Sequence, residues 1–286
     1  MIREFYWALR RELWENRWLW LAPSGVAVVL AAGVAAYAFK IEGPMGAISA
    51  LAELHQRQAI NQPYDVVAGL MMVIGLIVAA IYCVDALYGE RRDRSILLWK
   101  SLPVSDSMTV LAKLSIPVLV LPVVIWALTV TVQAILLLLS AVVLAAHGES
   151  TALLRTQLHL GRDAVGLLYH LVALHGISTA PFYAWLLLVS GWATRAPFAW
   201  AILPPAAIMV FERVAFGTTR IAQLLVNQLG GGTSAPPPAP GATLMESMNA
   251  VPFTQLLVAP GLWVGFAVAA VFVAGAVRLR RSAQPV

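Results

Sequence analysis

Between Ser115 and Ala146 the chain runs 32 residues without one charged side chain. The hydrocarbon core of a bilayer is about 30 Å thick, and an α-helix rising 1.5 Å per residue crosses it in roughly 20 residues. Inside that core a backbone amide has no water to bond, so a spanning segment must satisfy its own N–H and C=O groups. A helix does so, and uninterrupted apolar runs of this length predict one. Charged residues make up 12% of the chain, about half the fraction usual in soluble domains.

Six segments meet the length requirement: about Trp18 to Phe39, about Val66 to Leu87, within Ser115 to Ala146, within Ala164 to Thr194, from Ala196 past Glu212, and about Gln255 to Val277. The expected fold is therefore an all-α membrane protein with six transmembrane helices, residues 1–286 forming a single transmembrane domain. The third and fourth runs are longer than a bilayer requires, so those helices tilt, project or break. Pro117 and Pro122 predict a bent start to the third, Pro181 a kink in the fourth, and Pro204 and Pro205 one in the fifth.

The basic residues set an orientation. Arg3, Arg10, Arg11, Arg17, Arg91, Arg92, Arg94, Lys100, Lys113, Arg195, Arg278, Arg280 and Arg281 fall on one side, 13 in all. Lys40, Arg57, Arg155, Arg162 and Arg220 fall on the other, with Arg213 inside the fifth helix. This bias places both termini in the cytoplasm, and an even number of spans agrees with it. The net charge of +5 does not indicate a nucleic-acid partner, because the cations flank apolar segments and do not stripe a soluble face. The lone Cys83 lies in an apolar run and offers neither a disulfide nor a thiolate metal site. Ala36-Tyr37-Ala38 looks like a signal-peptidase site, but the acidic residues before it and the long apolar run predict an uncleaved span.

Residues 1–17 read as an amphipathic helix lying on the membrane, with Ile2, Phe5, Tyr6, Leu9 and Leu13 at helical spacing and tryptophans at 7, 14, 18 and 20 suited to the headgroup zone. Residues 217–250 form an outer loop, Gly- and Pro-rich from 230 to 241, preceded by a short helix-forming stretch from Ile221 to Val226.

The most unusual stretch is Leu87 to Asp106, which holds seven charges between two runs that hold almost none. Gly89 predicts the turn out of the second span, Pro103 a helix stop near Leu102, and Ser105 or Asp106 the cap of the next helix. The intervening Ile96, Leu97, Leu98 and Trp99, ringed by charge, have the composition of a protein-docking knob. A topological anchor would need only Arg91 and Arg92.

In topology and in the stretch Leu87-Tyr88-Gly89-Glu90-Arg91-Arg92-Asp93-Arg94-Ser95-Ile96-Leu97, continued by Trp99-Lys100-Ser101-Leu102-Pro103-Val104-Ser105, the chain resembles the membrane subunit of bacterial type-2 (ABC-2) ABC transporters. Phe211-Glu212-Arg213 resembles a recurrent pattern of the same group. The resemblance implies that residues 89–108 are a cytoplasmic coupling hairpin between spans 2 and 3, seated in a groove of a cytosolic ABC ATPase. Ile96, Leu97 and Trp99 would be the anchor, with Glu90, Arg91, Arg92, Asp93 and Arg94 fixing register around it and Lys100 a further ATPase-coupling residue. It also implies a dimer with a second permease copy or a similar permease, in the bacterial inner membrane, surrounded by membrane lipids. The chain has no GxxxxGK[ST] loop, so ATP and Mg²⁺ would be bound by the partner, and this subunit is expected to carry no cofactor and no enzymatic activity of its own.

Asp85, Gln133, Glu212 and Arg213 are polar residues inside or bordering spans, which gating or structural pairing would both explain. His170 and His175, five residues apart, fall about 140° apart on an ideal α-helix and are not expected to share a face. Neither a metal motif nor a nucleophile elbow is present. The expected function is that of a permease subunit of an ATP-driven exporter of an amphipathic, lipidic or peptidic cargo. The alternatives are a non-transporting docking subunit for a cytosolic protein, and a permease serving metal-enzyme maturation.

Overall fold

A computed structural model of the chain describes residues 2–38, 53–97, 104–146, 158, 160–229 and 252–282. Its elements are α1 (Ile2–Glu15), α2 (Trp18–Ala38), α3 (Glu53–Asp85), α4 (Tyr88–Arg92), α5 (Asp106–Ser115), a π-helical segment (Ile116–Val120), α6 (Leu121–Ala146), α7 (Leu160–Tyr169), a second π-helical segment (His170–Ile177), α8 (Ala180–Trp192), α9 (Pro197–Phe216), α10 (Arg220–Leu229), α11 (Phe253–Val258) and α12 (Pro260–Ser282). No strand occurs among the described residues. Five helices are long and apolar enough to cross a membrane, and α7 with its π segment joins α8 at a 45° bend to make a sixth if the pair counts as one span. The chain is thus a multi-pass, all-α membrane protein.

α3 is the central element, packed against α2, α6, α8 and α9, while α12 lies along α8 and α5. Tyr82, Cys83, Met71, Ile125, Leu187 and Val189 are buried where these helices meet. α9 is different: Val210, Phe211, Val214 and Phe216 all face outward, as side chains do when their solvent is hydrocarbon.

The long third and fourth runs each contain a π segment, and the two segments pack together. Pro117 lies in the first, where a missing N–H costs least in an already widened turn. Gly176 lies in the second, and a β-carbon there would collide with the Val118 carbonyl oxygen, so only glycine permits this approach. Pro181 occupies the first turn of α8, where its N–H would have no helical partner in any case. It marks the restart after the bend.

Candidate functional site

Ser105 starts the third span. Its extended backbone lets its hydroxyl accept the Met108 N–H at 3.2 Å, capping α5. Of the two caps the sequence offered, Ser105 is the one used, which leaves the Asp106 carboxylate for another partner. Asp106 and Lys113, seven residues apart, then occupy one face two turns apart.

That face meets four other segments. The Lys113 ammonium donates to Glu12 Oε2 of α1 at 3.0 Å and lies 3.1 Å from Glu90 Oε1 of α4. Tyr82 of α3 donates its hydroxyl to the same Glu12 Oε2 at 2.9 Å, and Arg11 Nη2 donates to Glu12 Oε1 at 3.0 Å. Arg280, near the end of α12, reaches Glu90 Oε2 at 3.3 Å through one nitrogen and Asp106 through the other. Glu12, Glu90, Lys113 and Arg280 are all buried. Three carboxylates, Glu12, Glu90 and Asp106, therefore meet three cations, Arg11, Lys113 and Arg280. A buried ion is tolerated when paired and hydrogen-bonded, and removing one partner typically costs about 3–5 kcal/mol.

Glu12 and Glu15 on α1 are shifted in opposite directions. Burial alone would raise the Glu12 carboxyl, but the Lys113 charge and the hydrogen bonds from Lys113 and Arg11 hold it below its ordinary 4.5. Partial burial lifts Glu15 above 4.5, and the nearby Glu12 charge adds to that against the pull of Arg11.

The hairpin is fastened to α8 as well. The Ser190 hydroxyl accepts the N–H groups of Leu87 and Tyr88, both at 2.9 Å, and Arg91 donates to the carbonyls of Gly191 and Ala193. These bonds place the turn out of the second span at Ala86–Leu87, ahead of the Gly89 expected from sequence. Gly89 lies inside α4, where a β-carbon would come 3.2 Å from Asp85 Oδ2.

The nine hairpin residues singled out from sequence thus separate into groups. Glu90 and Arg91 are buried and bonded within the chain, and Ile96 is 1% exposed. Arg92, Asp93, Arg94 and Leu97 face solvent. Arg92 pairs with Asp93 at 3.0 Å and more loosely with Asp85 at 3.8 Å. Arg94 turns the chain with a left-handed φ of 57°. Trp99 and Lys100 lie outside the described residues, as does the whole of the 230–250 stretch of the outer loop.

The intramembrane polar residues have structural partners. Gln133 donates to the Tyr64 carbonyl at 3.2 Å, tying α6 to α3. Glu212 accepts from the Thr218 hydroxyl at 2.6 Å and from the N–H groups of Arg220 and Ile221 at 2.7 and 2.9 Å, capping α10. Gly217, at φ 65°, ends α9 and turns the chain back for that contact. Arg213 Nη1 donates to the Gly217 carbonyl at 3.4 Å.

The two histidines correct the sequence expectation. Their ring centroids lie 5.4 Å apart, because the π turn that begins at His170 closes on i to i+5 hydrogen bonds and brings nearer two positions that an α-helix would separate. Among the described residues no group of three or more His, Cys, Asp or Glu is placed to hold a metal ion.

Sequence reasoning singled out Glu90 in this cluster and missed Glu12, Tyr82, Lys113 and Arg280 as its partners. The available signal was modest: acidic and basic residues lie on the same predicted side, each at the end of an apolar run. No protein-family model matches this chain, and no curated protein matches its sequence.

Proposed function

We propose that the chain is the permease subunit of an ATP-driven ABC exporter in a bacterial inner membrane, with both termini and the 89–108 hairpin in the cytoplasm. A separate cytosolic ATPase docks on the hairpin, two permeases pair in the membrane, and the cargo is amphipathic, lipidic or peptidic. The observation that carries the reading is the buried charge cluster, which joins Glu90 of α4 directly to Lys113 of α5 and Arg280 of α12 and, through Lys113 and Glu12, to α1 and Tyr82 of α3. A hairpin held only by its two ends would swing without moving the spans. One anchored through paired, buried charges transmits displacement to several helices together.

Exposed Arg92, Asp93, Arg94 and Leu97 supply the docking surface together with Trp99 and Lys100, while Glu90 and Arg91 serve as its internal mounting. The outward apolar face of α9 suits either lipid or a second permease copy.

The test is co-purification from membranes with a co-expressed cytosolic ABC ATPase, comparing wild type with the Leu97→Ala, Trp99→Ala double variant. Loss of bound ATPase or of ATP turnover, in a variant with unchanged melting temperature, is the expected result. Full retention of both would reduce the hairpin to a topological anchor and remove the basis for the transport reading.

A further inference from the structure

Alongside the charge cluster, α5 and α12 border an apolar groove of about 1030 Å³. Leu111 forms one wall, small Ala270 and Ala274 form the other, and Phe5 of α1 borders it. Arg278 and Arg281 line it from the terminal turns of α12, three residues apart and therefore on one face. Both are exposed, whereas Arg280 between them turns inward to Glu90 and Asp106.

We propose that this groove binds one anionic glycerophospholipid of the leaflet on the side of the termini, with an acyl chain between α5 and α12 and the phosphate on Arg278 and Arg281. The groove's dimensions support a lipid. Its lining on α12 runs from Phe266 to Arg281, about 22 Å at 1.5 Å per residue. A bilayer of about 40–45 Å gives each leaflet, headgroups included, about the same depth. The charge distribution supports an anion: the deep part is apolar, the cations stand at one end, and two positive charges at headgroup level favour a lipid whose headgroup is net negative. A second copy of this chain fits less well. Two-fold pairing through parallel α12 helices would bring Arg278 and Arg281 against their own counterparts. The assignment goes beyond transport and holds whether or not an ATPase docks on the hairpin.

Native mass spectrometry of the full chain, purified in neutral detergent and titrated with phosphatidylglycerol and phosphatidylcholine, tests it. Wild type should retain one phosphatidylglycerol with a preference on the order of tenfold. The Arg278→Gln, Arg281→Gln variant should lose the preference, and the Arg278→Lys, Arg281→Lys variant should keep it. Ala274→Trp, which fills the groove but leaves both arginines, should lose the bound lipid. Equal retention of the two lipids by wild type, or a preference that survives the Gln variant, overturns the proposal. So does efficient disulfide cross-linking between copies of an Ala270→Cys variant, which would make the groove a protein interface.

Discussion

Glu12 and Glu212 are both almost wholly enclosed, at 0% and 6% exposure, but they find partners at different sequence distances. Glu212 takes its three hydrogen bonds from residues six, eight and nine positions ahead. Glu12 takes two of its bonds from residues 70 and 101 positions away. The first arrangement is a local turn that any chain with that short sequence can form. The second exists only once α1, α3 and α5 are assembled, so it reports on, and holds, the relative placement of whole helices.

The largest effect should follow from Lys113→Met, which strands Glu12 and Glu90 without their shared cation. The expected loss is about 3–5 kcal/mol, read as a fall in melting temperature in detergent on the order of 10 °C. Adding Glu12→Gln should recover part of it, since one stranded charge is removed. If the two substitutions are simply additive, the pair is not coupled, and the long-range half of the comparison fails.

Acid should act on the same contact. With its folded value held below 4.5, Glu12 contributes stability that is present above 4.5 and lost as pH falls through the lower folded value. Glu15, raised above 4.5, has the opposite sign: its contribution is complete below 4.5 and lost as pH rises through the raised value. Melting temperature should therefore drop on acidification below about 4.5, and Glu12→Gln should flatten that limb. An unchanged acid limb in the variant would assign it to other carboxylates.

Glu212→Gln should produce a smaller and local change. Amide hydrogen exchange should quicken at Arg220 and Ile221 and through α10, with the melting temperature and the exchange of α3 and α5 unaltered. A global loss of protection would show that this cap is as integrated as the Glu12 contact. Arg92→Gln should do least, because its exposed pairs with Asp93 and Asp85 are the kind that add little to stability. The expected result is an unchanged melting temperature, which separates the solvent-facing charges of the hairpin from the buried ones.

The same contrast explains what could be foreseen. The apolar runs, the Ser105 cap and the helix beginning near Ile221 were legible because each rests on neighbours in sequence and on the properties of hydrocarbon as a solvent. The pairing of Lys113 with Glu12 and Glu90 was not, since nothing local records which distant carboxylate will arrive. The histidines mark a different gap. Their separation was reasoned from a 3.6-residue period, and the π segment changes the period at that place. No local composition signals that change. It becomes intelligible only with Gly176 set against Val118 on the neighbouring helix.

Arg280 follows Glu90 by 190 residues, and ribosomal synthesis proceeds from the amino terminus. While the chain is being made, Glu90 and Asp106 wait for the cation that will join them until α12 has been synthesised. The charge cluster is therefore complete only once α12 has joined α4 and α5. A nascent or truncated chain that ends before α12 leaves Asp106 without Arg280 and Glu90 with Lys113 alone, a chemical mark that distinguishes unfinished chains from those that have reached α12.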